Sequence, residues 1–226
     1  ILTITLPCFG TTLRTKNNAI LMAEEFKVSI KEVNIKKAVE VHFNDIGQDA
    51  NNYDITFENS QARERTQVLM DIANMNNGIV VGTGDLSEVA LGWSTYNGDH
   101  MSMYAVNASI PKTLIRFLIN YEGLRLGGKI KEILFDVINT PVSPELIPAK
   151  DGEIVQKTEE NVGPYILQDF YLYYAIFKGY RPIKVFKIAE KTSITKERGL
   201  TSFGFLITTF LSKVVFTSSE KLVSHF

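Results

Sequence analysis

Ile79-Val80-Val81-Gly82-Thr83-Gly84-Asp85-Leu86-Ser87-Glu88-Val89-Ala90-Leu91-Gly92-Trp93 decides the reading of this chain, because a β-branched run empties through a glycine turn into a helix-forming stretch. Ile79, Val80 and Val81, bounded by Gly78 and Gly82, are expected to form a short parallel strand covered on both faces. Gly82 and Gly84 let the backbone turn tightly and approach a ligand, and Asp85 or Ser87 is placed to cap the following helix. Ligands of open α/β folds bind at the carboxyl ends of such strands. Thr83 is therefore a candidate phosphate contact, and Glu88, about one turn into the helix, a candidate ligand for a hard cation such as Mg²⁺. The same residues also make an ordinary strand-to-helix turn, with a capping aspartate and a solvated glutamate.

Upstream, Ile1 to Leu6 alternates apolar residues with threonine and stops at Pro7, as a strand ending in a loop does. The loop, Cys8-Phe9-Gly10-Thr11-Thr12, has the hydroxyls and glycine that suit a nucleotide pocket. Ala19, Ile20, Ala23 and Phe26 recur at helical spacing and place a helix over about 16–27. A second strand is expected over 28–35, a helix over about 36–43, and a polar loop over 45–52. The longest helical pattern runs from Phe57 to Asn76, with Ala62, Val68, Leu69, Ile72, Ala73 and Met75 on one side and Gln61, Arg63, Glu64 and Arg65 on the other. Guanidinium forks on the first turns match phosphate or carboxylate bidentately, although such runs also serve as solvated faces with internal ion pairs. Strands alternating with helices argue for an α/β fold with a doubly wound parallel sheet.

Downstream, Asn97-Gly98-Asp99-His100 is a turn by composition. Asp99 beside His100 invites a metal or acid/base reading. Zinc is disfavoured, since the chain has 3 histidines and none at a ligand spacing from this pair. Ser109 is the expected cap of a helix opened by Pro111, which puts Lys112 at a positive helix end. A lysine there opposes the helix dipole, so its presence points to an anion beside it. This helix ends near 126–128 and a second covers about 130–139. Residues 140–152, rich in proline and then charged, are expected to form a flexible loop or lid. An aromatic helix with Phe170, Tyr171, Tyr173, Tyr174 and Phe177 follows, most of them read as core packing, then helical stretches over about 183–191 and 201–215.

The 226 residues are 45% hydrophobic and 22% charged, the composition of an ordinary soluble globular protein of one domain. A net charge of −1 gives no field favouring nucleic acid or an anionic membrane. Lone Cys8, read as a packing residue, excludes an internal disulfide and a multi-cysteine metal site, and a reducing cytoplasm is the expected compartment. Phe203 to Phe216 is apolar but too short to span a membrane comfortably, and Lys213 interrupts it. Because the chain opens on Ile1 within a strand-like run, it is expected to be the middle of a longer protein.

Six segments, taken in order, form a more specific pattern. Phe9-Gly10-Thr11-Thr12, Asn59-Ser60-Gln61-Ala62-Arg63-Glu64-Arg65, Gly82-Thr83-Gly84-Asp85-Leu86-Ser87-Glu88, Gly92 to Tyr104 with its Gly98-Asp99-His100-Met101-Ser102-Met103-Tyr104 run, Ser109-Ile110-Pro111-Lys112-Thr113, and Thr158-Glu159-Glu160-Asn161-Val162-Gly163-Pro164-Tyr165 resemble the synthetase domain of glutamine-dependent NAD synthetases. The resemblance covers about 1–182, with 183–226 as a helical segment that diverges from the family pattern. It implies an adenine-nucleotide α-hydrolase-like fold and a ligase in which ATP adenylates the nicotinate carboxylate of deamido-NAD and ammonia then displaces AMP. The family's glutamine-dependent members draw ammonia from an N-terminal glutaminase domain that this chain lacks, and they work as homo-oligomers. The resemblance further implies Thr11, Thr12, Thr83 and Lys112 as ATP contacts, Glu88 as the Mg²⁺ ligand, Gln61, Arg63, Asp99 and Glu159 as contacts to deamido-NAD, and Asp99 and Lys112 as catalytic.

Two departures accompany this pattern. The family's Ser-Gly-Gly-x-Asp-Ser loop occurs nowhere in the sequence, and the end from about Thr192 lacks the basic, proline- and glycine-containing character of the family. Without that loop a second Mg²⁺ ligand, the phosphate cradle and a central strand are absent, so the isolated chain is expected to be inactive. A non-catalytic nucleotide-binding or dimerisation module is the alternative reading. A related ATP-pyrophosphatase acting on another carboxylate is a third, disfavoured by the Gly98 to Tyr104 run.

Overall fold

Alternating threonine and apolar residues open the chain as a strand. β1 (Leu2–Thr5) pairs in parallel with β2 (Ser29–Glu32), Leu2 opposite Ser29 and Thr5 opposite Glu32. The structure is a computed structural model that describes residues 1–143, 146–148 and 158–192. A parallel pair needs a crossover, and α1 (Leu13–Glu25) provides it. Thr12 starts α1 by accepting from the Thr15 N–H at 3.2 Å, and Lys27 turns the chain back at φ 53°. That left-handed conformation is uncommon outside glycine and asparagine.

α2 (Lys36–Ile46) ends on Gly47 at φ 73°, which a Cβ would strain. α3 (Ile55–Met75) begins two residues before the pattern predicts, because the Asp54 carboxylate accepts from the N–H groups of Thr56 and Phe57 at 2.9 and 3.0 Å. The cap outweighs the low helix propensity of β-branched Ile55 and Thr56. Between α2 and α3 lies the main core: Ile35, Val39, Phe43 and Phe57, with Phe9 against the last two at ring-centroid distances of 6.1 and 5.2 Å.

β3 (Val81–Gly82) pairs in parallel with β4 (Tyr104–Ala105), and α4 (Leu86–Leu91) follows β3. The parallel pairing agrees with the expected sheet; among the described residues it comprises two separate two-stranded ladders. The expectation that Ile79, Val80 and Val81 are covered on both faces fails. Ile79 is 64% exposed and Val81 54%, and the ladder with β4 takes in only Val81 and Gly82. Gly82 is where the two strands come closest: a Cβ there would lie 2.4 Å from Ser102 Oγ and 2.6 Å from its Cβ. Gly82→Ala is accordingly expected to cost about 2 kcal/mol and loosen the β3–β4 ladder. A drop in the urea midpoint with loss of amide protection at Tyr104 and Val106 checks it.

The helical half comprises α5 (Lys112–Leu126), α6 (Gly128–Asn139), α7 (Thr158–Val162), α8 (Tyr165–Leu172), a π-helical turn (Tyr173–Phe177) and α9 (Pro182–Ala189). Gly123 lets α6 approach α5, its hypothetical Cβ falling 2.9 Å from the Phe135 ring. A second core joins Tyr171 to Val185 and Ala189 of α9.

Arg14 of α1 grips Asp136 of α6 through its Nε at 2.9 Å and through Nη2, and Asn18 adds a third donor to the carboxylate. These hydrogen bonds hold the Asp136 carboxyl down at about 2, against 3.8 ordinarily. A depressed carboxylate stabilises the fold above its unfolded value and stops doing so as pH falls through the folded one. The contribution should therefore fade between about pH 4 and pH 2, and remain under about 1 kcal/mol because the pair is exposed and screened. Acid titration of wild type against Asp136→Asn measures it as a difference confined to that window.

Among the described residues no helix is long and apolar enough to cross a membrane. The expected helix over 201–215, the apolar run Phe203 to Phe216 and residues 144–145 and 149–152 of the proline-rich loop lie outside the described residues.

Candidate functional site

Asp85 closes the turn after β3. Its Oδ1 accepts from Glu88 N at 2.9 Å and Glu88 Oε2 accepts from Asp85 N at 3.4 Å, a reciprocal capping box. Of the two predicted caps it is Asp85 that acts, so the N–H groups opening α4 are partly spent on its own side chains. Lys112 at the start of α5 reaches back to this box, its Nζ 2.7 Å from Asp85 Oδ2, 2.7 Å from Glu88 Oε1 and 5.1 Å above the Tyr165 ring. Burial works against the Lys112 charge, yet the hydrogen bonds it donates to the two carboxylates outweigh it and hold the ammonium's pKa above its ordinary value. Burial, reinforced by the nearby carboxylates, pushes the Tyr165 phenol up, and its hydroxyl has no partner among the described residues.

The anion that the placement of Lys112 called for is thus partly internal. Ser109 does not cap α5. Its first N–H groups go to residues distant in sequence: Lys112 N donates to Ser87 Oγ at 2.9 Å and Thr113 N to Asp169 Oδ2 at 2.8 Å. Ser87 in turn donates to Asp169 Oδ1 at 2.5 Å.

Asp99 belongs to a second cluster. The Thr95 N–H donates to Asp99 Oδ1 at 2.7 Å, the Thr95 hydroxyl to Asn59 at 2.7 Å, and the His100 ring nitrogen lies 2.6 Å from the Thr95 carbonyl. Partial burial of the carboxyl pushes Asp99 up from its ordinary value, against the Thr95 N–H and the charges of His100 and Arg65. Arg63 donates to the Tyr96 carbonyl at 3.2 Å, on the rim of this cluster. Arg65, two residues on and facing elsewhere, donates to the Leu6 carbonyl and to the Thr11 hydroxyl, both at 3.3 Å. Arg65 therefore joins the Thr11 loop to the field at Asp99, a link that the choice of Arg63 alone overlooked.

The remaining candidates, Glu159 excepted, stand apart. The Thr12 hydroxyl is engaged in capping α1, and exposed Thr83 offers its carbonyl to Asn107 at 3.3 Å. Gln61 is fully buried, with Nε2 donating to the carbonyls of Phe57 and Leu146 at 3.0 and 2.9 Å and Oε1 without a partner among the described residues. Glu159 accepts from Tyr165 N at 3.0 Å and thereby borders the Lys112 group. Asp169 has no signal in the sequence, where it looks locally like core of an aromatic helix, and Tyr165 enters there only as the end of the sixth family segment, with no role attached.

Two carboxylates beside a strand end are the donor set a hard cation uses when phosphate oxygens and water complete its shell. Glu88 and Asp85 have that donor chemistry, with Glu88 Oε1 and Asp85 Oδ2 taken up by the Lys112 ammonium that Mg²⁺ would have to displace. Among the described residues no group of three or more His, Cys, Asp or Glu stands ready as a full protein cage.

The class the structure defines is an α/β frame of parallel strand pairs with a lysine held between two carboxylates at a strand-to-helix turn. The family described as NAD synthase matches residues 1–194, and this chain belongs to it. It is 45% identical over 212 residues to the glutamine-dependent NAD(+) synthetase of Mycobacterium tuberculosis (strain ATCC 25618 / H37Rv), covering 91% of this chain and 31% of that one. The Mycobacterium leprae counterpart is 43% identical over 192 residues, 82% and 28% of the two chains. The chain thus spans about a third of the length of these relatives. Among solved structures, a glutamine-dependent NAD(+) synthetase from Cytophaga hutchinsonii superposes with TM-score 0.70 at 19% identity, over 94% of this chain and 33% of that one. The NMN synthetase of Francisella tularensis gives 0.65 at 19% identity, over 100% and 79%. At such identities the likeness shows the fold.

Proposed function

We propose that residues 1–182 are the synthetase part of an enzyme that amidates deamido-NAD to NAD at the expense of ATP, with 183–226 a segment that diverges from the family pattern. The supporting observation is the Lys112 ammonium held by Asp85 and Glu88 at the head of α5, within the family match. A carboxylate oxygen of the nicotinate attacks the α-phosphorus of ATP and the bond to pyrophosphate breaks. Ammonia then attacks the acyl carbon, AMP leaves with the bridging oxygen, and the nitrogen loses its proton. Lys112 is placed to take charge from departing pyrophosphate by exchanging carboxylate for phosphate partners. Thr83 borders the same phosphates, and Thr11 and Thr12 the adenosine. Asp99, Arg63, Gln61 and Glu159 are assigned to deamido-NAD, Asp99 nearest the reacting carbonyl. Mg²⁺ held by Glu88 would neutralise phosphate charge. A glutaminase domain as ammonia source, assembly as a homo-oligomer and a cytoplasmic setting complete the proposal.

The test is NAD formation by the complete gene product supplied with ATP, Mg²⁺, deamido-NAD and ammonia or glutamine. Glu88→Gln is expected to lower its rate about 10–100-fold and raise the Mg²⁺ needed for half-maximal rate. Residues 1–226 alone are expected to form no NAD, since no Ser-Gly-Gly-x-Asp-Ser cradle is present in them. ATP-dependent NAD production by the isolated chain would refute that expectation. A complete protein that binds ATP without forming NAD supports the non-catalytic module instead.

A further inference from the structure

We infer that Ser87 and Asp169 form a positioning clamp that sets where Lys112 can reach; this rests on the role proposed above for Lys112. Asp169 lies on α8 and is 7% exposed; Ser87 on α4 is fully buried. Neither touches the Lys112 ammonium. Both hold its backbone: Ser87 Oγ accepts from Lys112 N at 2.9 Å, Asp169 Oδ2 accepts from Thr113 N at 2.8 Å, and the Ser87 hydroxyl donates to Asp169 Oδ1 at 2.5 Å.

Three properties make this more than a local cap. Ordinary N-caps come from the residue preceding the helix, and here that residue is Pro111, whose side chain offers no acceptor. Every acceptor and donor of the clamp is matched: one carboxylate oxygen for the Thr113 N–H, the other for the serine proton, and the serine oxygen for the Lys112 N–H. A carboxylate at a helix N-terminus also answers the dipole that Lys112 opposes. The clamp therefore fixes the Cα of Lys112 relative to α4, which carries Glu88, and α8, which carries the Tyr165 ring beneath the ammonium. With the backbone fixed, the ammonium position is set by its own side-chain torsions alone. Small displacements of such a group weaken transition-state contacts more than ground-state binding.

The experiment uses the complete gene product with Ser87→Ala, Asp169→Asn, Asp169→Ala and the Ser87→Ala/Asp169→Asn pair. It reads kcat and KM with ATP and deamido-NAD, the thermal midpoint, and hydrogen exchange at the Lys112 and Thr113 amides. The expected result is a kcat about 10–100-fold lower in each variant with KM for ATP within about threefold of wild type. Asp169→Asn keeps an acceptor for Thr113 and should lose less than Asp169→Ala, and the pair should be no worse than its worse single member, as for residues acting as one unit. Exchange at both amides should quicken before the thermal midpoint is reached. Unchanged kcat in a folded variant overturns the inference, as do losses that multiply in the pair or that merely track the folded fraction. Should the Asp169 variants not fold, Ser87→Ala decides alone; if none folds, the pair is structural and the inference is overturned. A wild-type protein that forms no NAD overturns the functional reading and this one with it, an outcome distinct from an active wild type with unaffected variants.

Discussion

Lys112→Met is expected to lower kcat for NAD formation by the complete gene product about 10²–10³-fold, the scale lost when one preorganised donor to developing negative charge is removed. The same substitution should destabilise the fold by about 3 kcal/mol, because it leaves the buried Asp85 carboxylate facing Glu88 with no cation between them. The two effects are separable. Adding Asp85→Asn removes the stranded charge while keeping a side-chain oxygen for the capping bond to Glu88 N, so most of the stability should return. The rate should not, since the double variant still lacks an ammonium. Paired kinetic and denaturant measurements test this, and recovery of both together would show that Lys112 serves the fold alone.

Phe57→Ala should have the largest effect on stability, about 4 kcal/mol. Its ring is fully buried and meets Phe9, Phe43 and Tyr53 at centroid distances of 5.2, 5.3 and 4.9 Å. Truncation removes the shared member of three ring pairs and leaves a cavity between α2 and α3 that aromatic neighbours cannot collapse to fill. Phe57→Leu, which keeps most of the volume, should cost less than half as much. Urea midpoints with unchanged m-values measure both.

What the sequence made legible was local. Thr12, Asp54 and Asp85 open helices with bonds to N–H groups two or three residues ahead, and the 3.6-residue period of α3 and the β-branched run before Gly82 are visible in any short window. The Lys112 signal was of the same kind: a cation on the first turn contradicts the dipole, and the contradiction had an answer in the fold. The answer itself was hidden. Asp169 stands 56 residues from Thr113 and 82 from Ser87, inside a run of aromatics whose pattern describes packing. Arg65 was hidden similarly, since residues two apart on a helix diverge and only the folded chain shows that Arg63 and Arg65 serve different partners. Burial of Ile79 and Val81 was misjudged because β-branching reports a preference for strand conformation, while coverage depends on what else is packed there.

The span of the Ser87–Asp169 bond also bears on the order in which the molecule takes shape. The aromatic core draws on Ile35, Val39, Phe43 and Phe57, neighbours along the chain that meet at small cost in loop closure. The group around Lys112 is assembled from α4, α5 and α8 and must wait until segments far apart in sequence have been brought together. Folding should accordingly begin around Phe57 and finish at Lys112, with φ-values high in α2 and α3 and near zero at Ser87 and Asp169. The residues assigned to chemistry then lie in the part of the chain that orders last.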